Sequence, residues 1–252
     1  MLRAYLDRSS NDANDVIAVA GVLAQDEQWA VFIPAWQKML DTYGLRRFHV
    51  AEYWSRKGRF ARLNEADHVA LRRNICRIFK LFKPLAVATI VGGAAFQEWR
   101  PRQETYHYPD GQYLALDHTL TSLLTRISHH PADEGFVIHC DKDTEHEKLM
   151  NELTEWQILR VKKMIGLPPG HLDRQRAAAV QFGPAFEVVA LQAANVIAHS
   201  AFRWGLEHLN GGNTEEPFLA GIKPECSITL NPLTTKEYID REQRILEDSG
   251  FV

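Results

Sequence analysis

LRAYLDRSSNDANDVIAVAGVLA, residues 2–24, contains two strand-like segments separated by a polar link. Side chains alternate between apolar and polar from Leu2 to Asp7, which is the period of a strand with one buried face. The run from Val16 to Ala24 is apolar throughout, as in a strand covered on both faces. This stretch therefore predicts a hairpin whose first strand ends at Asp7.

Beyond the hairpin, helix and strand patterns alternate along the chain. Apolar spacing, capping residues and Gly or Pro stops predict helices over 26–43, 64–82, 112–128, 144–165, 186–209 and 234–250, and strands over 85–91, 136–141, 176–182 and 227–230. Pro34 is expected to kink or restart the first helix. The order predicts an α/β fold with a mixed sheet flanked by helices. We expect residues 1–252 to form one domain, with a core over about 2–209 and a C-terminal extension over 210–252.

Composition and charge exclude several classes of protein. The 29 Lys and Arg against 32 Asp and Glu give a net charge of −3, so a nucleic-acid partner would need a local basic patch or a bridging metal. Three widely spaced cysteines predict neither a disulfide framework nor a zinc cluster, and they indicate the reducing cytoplasm. No signal segment or membrane span is expected. P-loop, Rossmann, α/β-hydrolase and HExxH motifs are absent.

One stretch of the chain is locally basic. It contains Arg56, Lys57, Arg59, Arg62, Arg72, Arg73 and Arg77. These cations could attract phosphate groups. Because Glu65 and Asp67 are interspersed, a solvated charged face is the alternative.

Two predicted strands each carry an aspartate at the carboxyl end, Asp7 and Asp141. Open α/β sheets bind ligands at these ends, and carboxylates there can hold Mg²⁺ or Mn²⁺. The alternative is local: Asp7 begins an Asx turn, and Asp141 or Asp143 caps the next helix.

Two further groups of polar residues are candidates. Gln192, Asn195 and His199 form a polar line at i, i+3 and i+7 on an otherwise apolar helix, so they face a polar partner. That partner is either a structural hydrogen-bond network or the strand-end aspartates. His49 and Glu52, three residues apart, could ligate a metal or transfer protons, or could simply lie at the surface.

Four segments in order, AYLDRSSN (4–11), VIAVAGVLA (16–24), FHVAEYW (48–54) and LQAANVIAH (191–199), resemble the bacterial and archaeal family called domain of unknown function 3800. The resemblance spans roughly residues 2–204. It implies a ribonuclease H-like fold, in which acidic residues from a first strand, a later strand and a late helix hold divalent metals.

The resemblance also assigns positions. Asp7 matches the first-strand aspartate, Asp141 is the best match on the later strand, and Asn195 stands where the family has a helix aspartate. Arg8 and Ser10 stand where the family usually has glutamate and glycine. An asparagine can ligate a cation through its amide oxygen, but it removes one negative charge from the site.

The expected function is divalent-metal-dependent hydrolysis of phosphodiesters by a nuclease or phosphoesterase. Asp7 and Asp141, with Asn195 and with Glu187 or Asp143, would hold one or two Mg²⁺ or Mn²⁺ ions that activate water and stabilise the leaving oxygen. His199 or Glu52 would transfer protons. The alternatives are an inactive relative that binds nucleic acid or protein, and a hydrolase of small phosphorylated molecules.

Overall fold

The computed structural model describes residues 1–11, 13, 15–100, 108, 110–127, 136–141, 180–183, 188–213, 215–224 and 226–248. The helix predicted over 144–165 lies outside the described residues. So do two of the predicted metal ligands, Asp143 and Glu187. Asp141 is described through its backbone.

The described residues form six strands and eight α-helices. The strands are β1 (Leu2–Ser10), β2 (Val16–Gln25), β3 (Leu85–Gly92), β4 (Phe136–Asp141), β5 (Val180–Gly183) and β6 (Ile228–Leu233). The helices are α1 (Asp26–Thr42), α2 (Val50–Trp54), α3 (Glu65–Phe82), α4 (Gly93–Trp99), α5 (Gly111–Ile127), α6 (Val189–Leu209), α7 (Pro217–Ile222) and α8 (Lys236–Asp248). A short 3₁₀ helix covers Gly58–Arg62.

The strands form one mixed sheet in the order β5-β4-β1-β2-β3-β6. β2 is antiparallel to β1 and β3, whereas β1 pairs parallel with β4, β4 with β5, and β3 with β6. The predicted hairpin and the predicted α/β fold with a mixed sheet are therefore confirmed. The segment predicted as a C-terminal extension supplies β6, which pairs with β3.

Helices cover both faces of the sheet and enclose two hydrophobic cores. One core joins the sheet to α1, α3 and α6, and the other joins it to α4, α5 and α8. The alternation in β1 decides which side chains enter each core: Tyr5 belongs to the first, and Leu2, Ala4 and Leu6 belong to the second. β2 is buried along almost its whole length, as its apolar run predicts.

The first strand is longer than predicted. It continues three residues beyond Asp7 because its antiparallel pairing with β2 extends to Ser10, which lies opposite Ile17. Its parallel pairing with β4 ends earlier, where Leu6 lies opposite Cys140. Asp7 therefore stands where the parallel partner strand ends, although β1 itself does not end there.

Helix α1 runs through Pro34 without a break, so the predicted restart is wrong. A proline leaves the carbonyl four residues earlier without its amide partner. Here Pro34 and Ala30 are both exposed, so water can bond to the Ala30 carbonyl. The N-cap of this helix is Gln25, not Asp26.

A close approach between α6 and the sheet sets the position of the polar line. A Cβ atom added at Gly205 would lie 2.7 Å from Ile90 Cγ2 and 3.0 Å from Val16 Cγ1. The absence of a side chain at Gly205 thus lets α6 lie directly on β2 and β3. The same packing brings the N-terminal half of α6 onto β1.

Two further expectations concern cysteines and membranes. All three cysteines, Cys76, Cys140 and Cys226, are buried thiols that form no disulfide, as expected. None of the helices in the described part of the chain combines the length and apolarity that a membrane crossing needs.

Candidate functional site

A hydrogen bond joins the first strand to the late helix. The Nδ2 atom of Asn195 donates to Oδ2 of Asp7 at 2.7 Å. The other end of the Asn195 amide, Oδ1, accepts from the backbone N–H of Val50 at 3.0 Å. Because a backbone amide can only donate, the Val50 bond fixes the orientation of the side-chain amide and directs its NH₂ group to Asp7. The sequence left two possible partners for the polar line, and Asn195 contacts one of them, the aspartate of the first strand.

Asp141 stands next to Asp7 in the sheet. Leu6 and Cys140 are opposite one another in the parallel pair of β1 and β4, and Asp7 and Asp141 are the next residues of the two strands. Both positions lie toward the carboxyl end of the parallel pair, where open α/β sheets bind ligands.

Gln192 belongs to a structural network. Its Oε1 atom accepts from the indole N–H of Trp36 at 3.1 Å and from the backbone N–H of Phe48 at 2.8 Å. With 2% of its surface exposed, it lies inside the first core. The polar line therefore divides: Gln192 satisfies buried donors, and Asn195 connects the 48–50 segment to Asp7.

His199, one turn after Asn195, contacts the same strand. Its Nδ1 atom lies 3.0 Å from Oγ of Ser9. Burial lowers the pKa of His199 to about 4, and the positive charges of Arg203 and His49 act in the same direction. The imidazole is therefore neutral at pH 7 and only a weak base there, which disfavours His199 as the proton carrier near neutral pH.

This depressed pKa predicts a pH-dependent stability. Between its ordinary value of 6.5 and about 4, the unfolded chain binds a proton at His199 that the folded chain does not. The free energy of unfolding is thus expected to fall by about 3 kcal/mol from this group as the pH falls through that range. Urea unfolding at pH 7 and pH 4 would measure the loss, and His199→Gln should lose less by that amount. An identical loss in the two proteins would contradict the prediction.

A cavity of about 540 Å³ adjoins His199. Trp54 and Arg203 form part of its wall, with the guanidinium carbon 4.3 Å from the centroid of the Trp54 ring. His199 both lines this cavity and contacts β1, so it lies between the cavity and the strand.

His49 and Glu52 both lie at the start of α2. His49 is the N-cap residue of α2, and its charge influences His199. Glu52 instead forms an ion pair with Arg47 at 2.6 Å. The contacts described for Glu52 therefore lead to a neighbouring basic segment and not to Asp7.

Arg8, which follows Asp7 in the chain, lies on the other side of the sheet. Its guanidinium donates to Gln112 of α5, whereas Asp7 and Ser9 contact α6. Ser9 is a site residue that the sequence analysis missed. The alternation of β1 could have identified Ser9, because it places residues 7 and 9 on one face of the strand and residue 8 on the other.

Among the described residues, no three His, Cys, Asp or Glu side chains converge as the ligands of a metal ion. Asp7 supplies a carboxylate whose Oδ1 accepts from the Arg8 amide at 2.8 Å. Asn195 would have to turn away from Val50 to present its oxygen to a cation. Asp7 thus fits a divalent cation directly, and Asn195 fits one only after rearrangement.

No known family model matches the chain, and no curated protein matches it either.

Proposed function

We propose that this protein is a divalent-metal-dependent phosphodiester hydrolase, a nuclease or phosphoesterase of ribonuclease H-like type. The observation that carries the proposal is that Asp7 and Asp141 stand side by side at the carboxyl end of the parallel strand pair. The resemblance implies a site built from a first strand, a later strand and a late helix. Here β1, β4 and α6 are neighbours, which supports the proposal.

Asp7 and Asp141 are the proposed ligands, with Asp143 or Glu187 as further candidates. Bound Mg²⁺ or Mn²⁺ would supply Lewis-acid polarisation of the phosphate and a more acidic water. The protein orients the Asp7 carboxylate through two donors, the Arg8 amide at Oδ1 and the Asn195 amide at Oδ2. A carboxylate oxygen has two lone pairs, so it can accept from a donor and bind a cation at the same time.

A second candidate function is a binding module without catalysis. Asn195 favours it, because its amide is satisfied at both ends by Asp7 and Val50. A carboxylate at position 195 would need a cation between itself and Asp7. The Asn195 amide instead bonds to Asp7 directly, without a cation. Such a protein would bind nucleic acid or another protein and would not cleave a phosphodiester.

Calorimetric titration with Mn²⁺ tests the proposal. We expect the wild-type protein to bind Mn²⁺ and to hydrolyse phosphodiesters, and we expect Asp7→Asn to lose both properties because it removes the charge that attracts the cation. Hydrolysis would be screened with single-stranded, duplex and hybrid oligonucleotides and with a small phosphodiester.

The matched control is Asp41→Asn, which removes one exposed carboxylate near the end of α1. It should bind Mn²⁺ as the wild-type protein does, and circular dichroism would show that both variants are folded. Absence of Mn²⁺ binding by the wild-type protein would reject the hydrolase in favour of the binding module. Equal loss in both variants would place the ion elsewhere.

A further inference from the structure

A groove rich in cations lies beside the segment that contacts Asn195. It has a volume of about 720 Å³, and Arg46, Arg47, Lys57 and Arg59 line it. We propose that this groove binds the phosphate backbone of a nucleic-acid strand. The choice of ligand rests on the proposed function, whereas the groove can be tested without it.

The first argument is charge. Glu52 is the one carboxylate among the described residues that line the groove, and Arg47 pairs with it. The four cations and one anion leave a local charge of +3 on a protein whose net charge is −3. The side chains of Arg46 and Lys57 are exposed and make no ion pair or hydrogen bond in the described part of the chain. Uncompensated cations of this kind attract phosphates by releasing counterions from the nucleic acid.

The second argument is backbone shape. Gly58, between Lys57 and Arg59, has a φ of +58°, a conformation that favours glycine. The turn at Gly58 lets both neighbouring cations line the same cavity. Arg59 is further held by donation to the carbonyl of Gly44 at 3.1 Å, which joins the two ends of the basic segment.

The third argument is the connection to Asp7. Arg46 and Arg47 directly precede Phe48, whose amide is held by Gln192, and Val50, whose amide is held by Asn195. Three peptide units separate the Cα atoms of Arg47 and Val50, so these atoms lie at most about 11 Å apart. The same Asn195 side chain bonds to Asp7. One amide thus fixes both the groove segment and the carboxylate, and a strand bound in the groove would lie close to Asp7.

The basic run predicted from the sequence is divided in the structure. Arg56 pairs with Glu65, and Arg59 and Lys57 join the groove described here. A second, smaller cationic surface on α3 includes Arg73 and Arg77, whose side chains are exposed and likewise make no ion pair or hydrogen bond in the part of the chain that the structure covers. No described contact links that surface to Asp7. Replacing Arg73 and Arg77 therefore provides a control that removes the same number of positive charges.

The test measures the affinity of the protein for a fluorescent single-stranded oligothymidylate of about 20 nucleotides. Binding is monitored by fluorescence anisotropy in EDTA, over a range of salt concentrations. Replacing Arg46 and Lys57 together by glutamine removes two phosphate contacts. At about 0.7 per contact, the slope of log affinity against log salt should fall by about 1.4, and affinity at about 0.1 M salt should fall about 25-fold. The control, Arg73→Gln with Arg77→Gln, should change affinity less than about threefold.

Several outcomes would overturn the inference: no binding by the wild-type protein, equal weakening by the two double variants, or greater weakening by the α3 control. Because EDTA removes divalent metals, these outcomes concern the groove alone. If the wild-type protein binds the oligonucleotide but shows no Mn²⁺-dependent hydrolysis, the hydrolase is rejected and the groove proposal stands.

Discussion

Replacing Gln192 with leucine is expected to lower the free energy of unfolding by about 3 kcal/mol. Leucine fills a similar volume but accepts no hydrogen bond, so the indole N–H of Trp36 and the backbone N–H of Phe48 both lose their acceptor. Trp36 is 0% exposed and Phe48 is 2% exposed, which leaves these donors without water as a substitute. Each unsatisfied buried donor costs about 1–3 kcal/mol. Urea unfolding followed by circular dichroism would measure the difference.

The control is Gln37→Leu on α1, where the side chain bonds to Asp41 at the surface. It should change stability by less than about 0.5 kcal/mol. In the Gln192→Leu background, Trp36→Phe deletes one orphaned donor, so it should cost about 1 kcal/mol less than in the wild-type protein. If Gln192→Leu costs no more than Gln37→Leu, the Gln192 network does not stabilise the fold.

Asn195→Asp is expected to strengthen the dependence of stability on Mn²⁺. The Asn195 amide lies 2.7 Å from Asp7, so an aspartate there brings two carboxylates together, and in EDTA stability should fall by about 2 kcal/mol. Mn²⁺ at about 100 times the dissociation constant of the variant should add about 2.7 kcal/mol, and the same Mn²⁺ concentration should add less to the wild-type protein, which binds the ion more weakly. One oxygen of the new carboxylate can still accept from the Val50 amide, so the segment should keep its position. Denaturant midpoints in EDTA and in Mn²⁺ give both quantities.

The matched control is the exchange Asp7→Asn with Asn195→Asp. It keeps the net charge and the hydrogen-bonding groups but never places two carboxylates together. We expect it to be stable in EDTA and to respond weakly to Mn²⁺. An equal response to Mn²⁺ in the wild-type protein and in Asn195→Asp would remove position 195 from the metal site. Unchanged stability of Asn195→Asp in EDTA would mean that the two side chains do not meet.

Local patterns predicted most of the elements. The apolar run of β2, the alternation of β1 and the helical spacing over 64–82 each depend on neighbours within a few residues, and each is confirmed. Pro34 misled the prediction because the effect of a proline depends on whether its free carbonyl reaches water. The end of β1 was also wrong, since the β2 pairing and not the local sequence decides where the strand stops.

Most residues of the candidate site could be identified from the sequence, but their contacts could not. Asp7 and Asn195 could be identified as polar residues at a strand and on an apolar helix, yet 188 positions separate them in the chain. The sequence did not decide whether the polar line contacts a carboxylate or a buried hydrogen-bond network. In the structure, Gln192 belongs to a buried network and Asn195 bonds to Asp7.

The sequence by itself determined the order of most elements and the faces of β1, because hydrophobic periodicity and capping act over a few residues. It also determined that this chain carries an asparagine at position 195 and an overall charge of −3. Only the tertiary structure decided that Arg8 bonds to Gln112, that Glu52 pairs with Arg47, and that one asparagine holds both a strand carboxylate and a basic segment. These contacts join residues that the packing of α6 and α2 against the sheet brings together, and no short-range pattern encodes that packing.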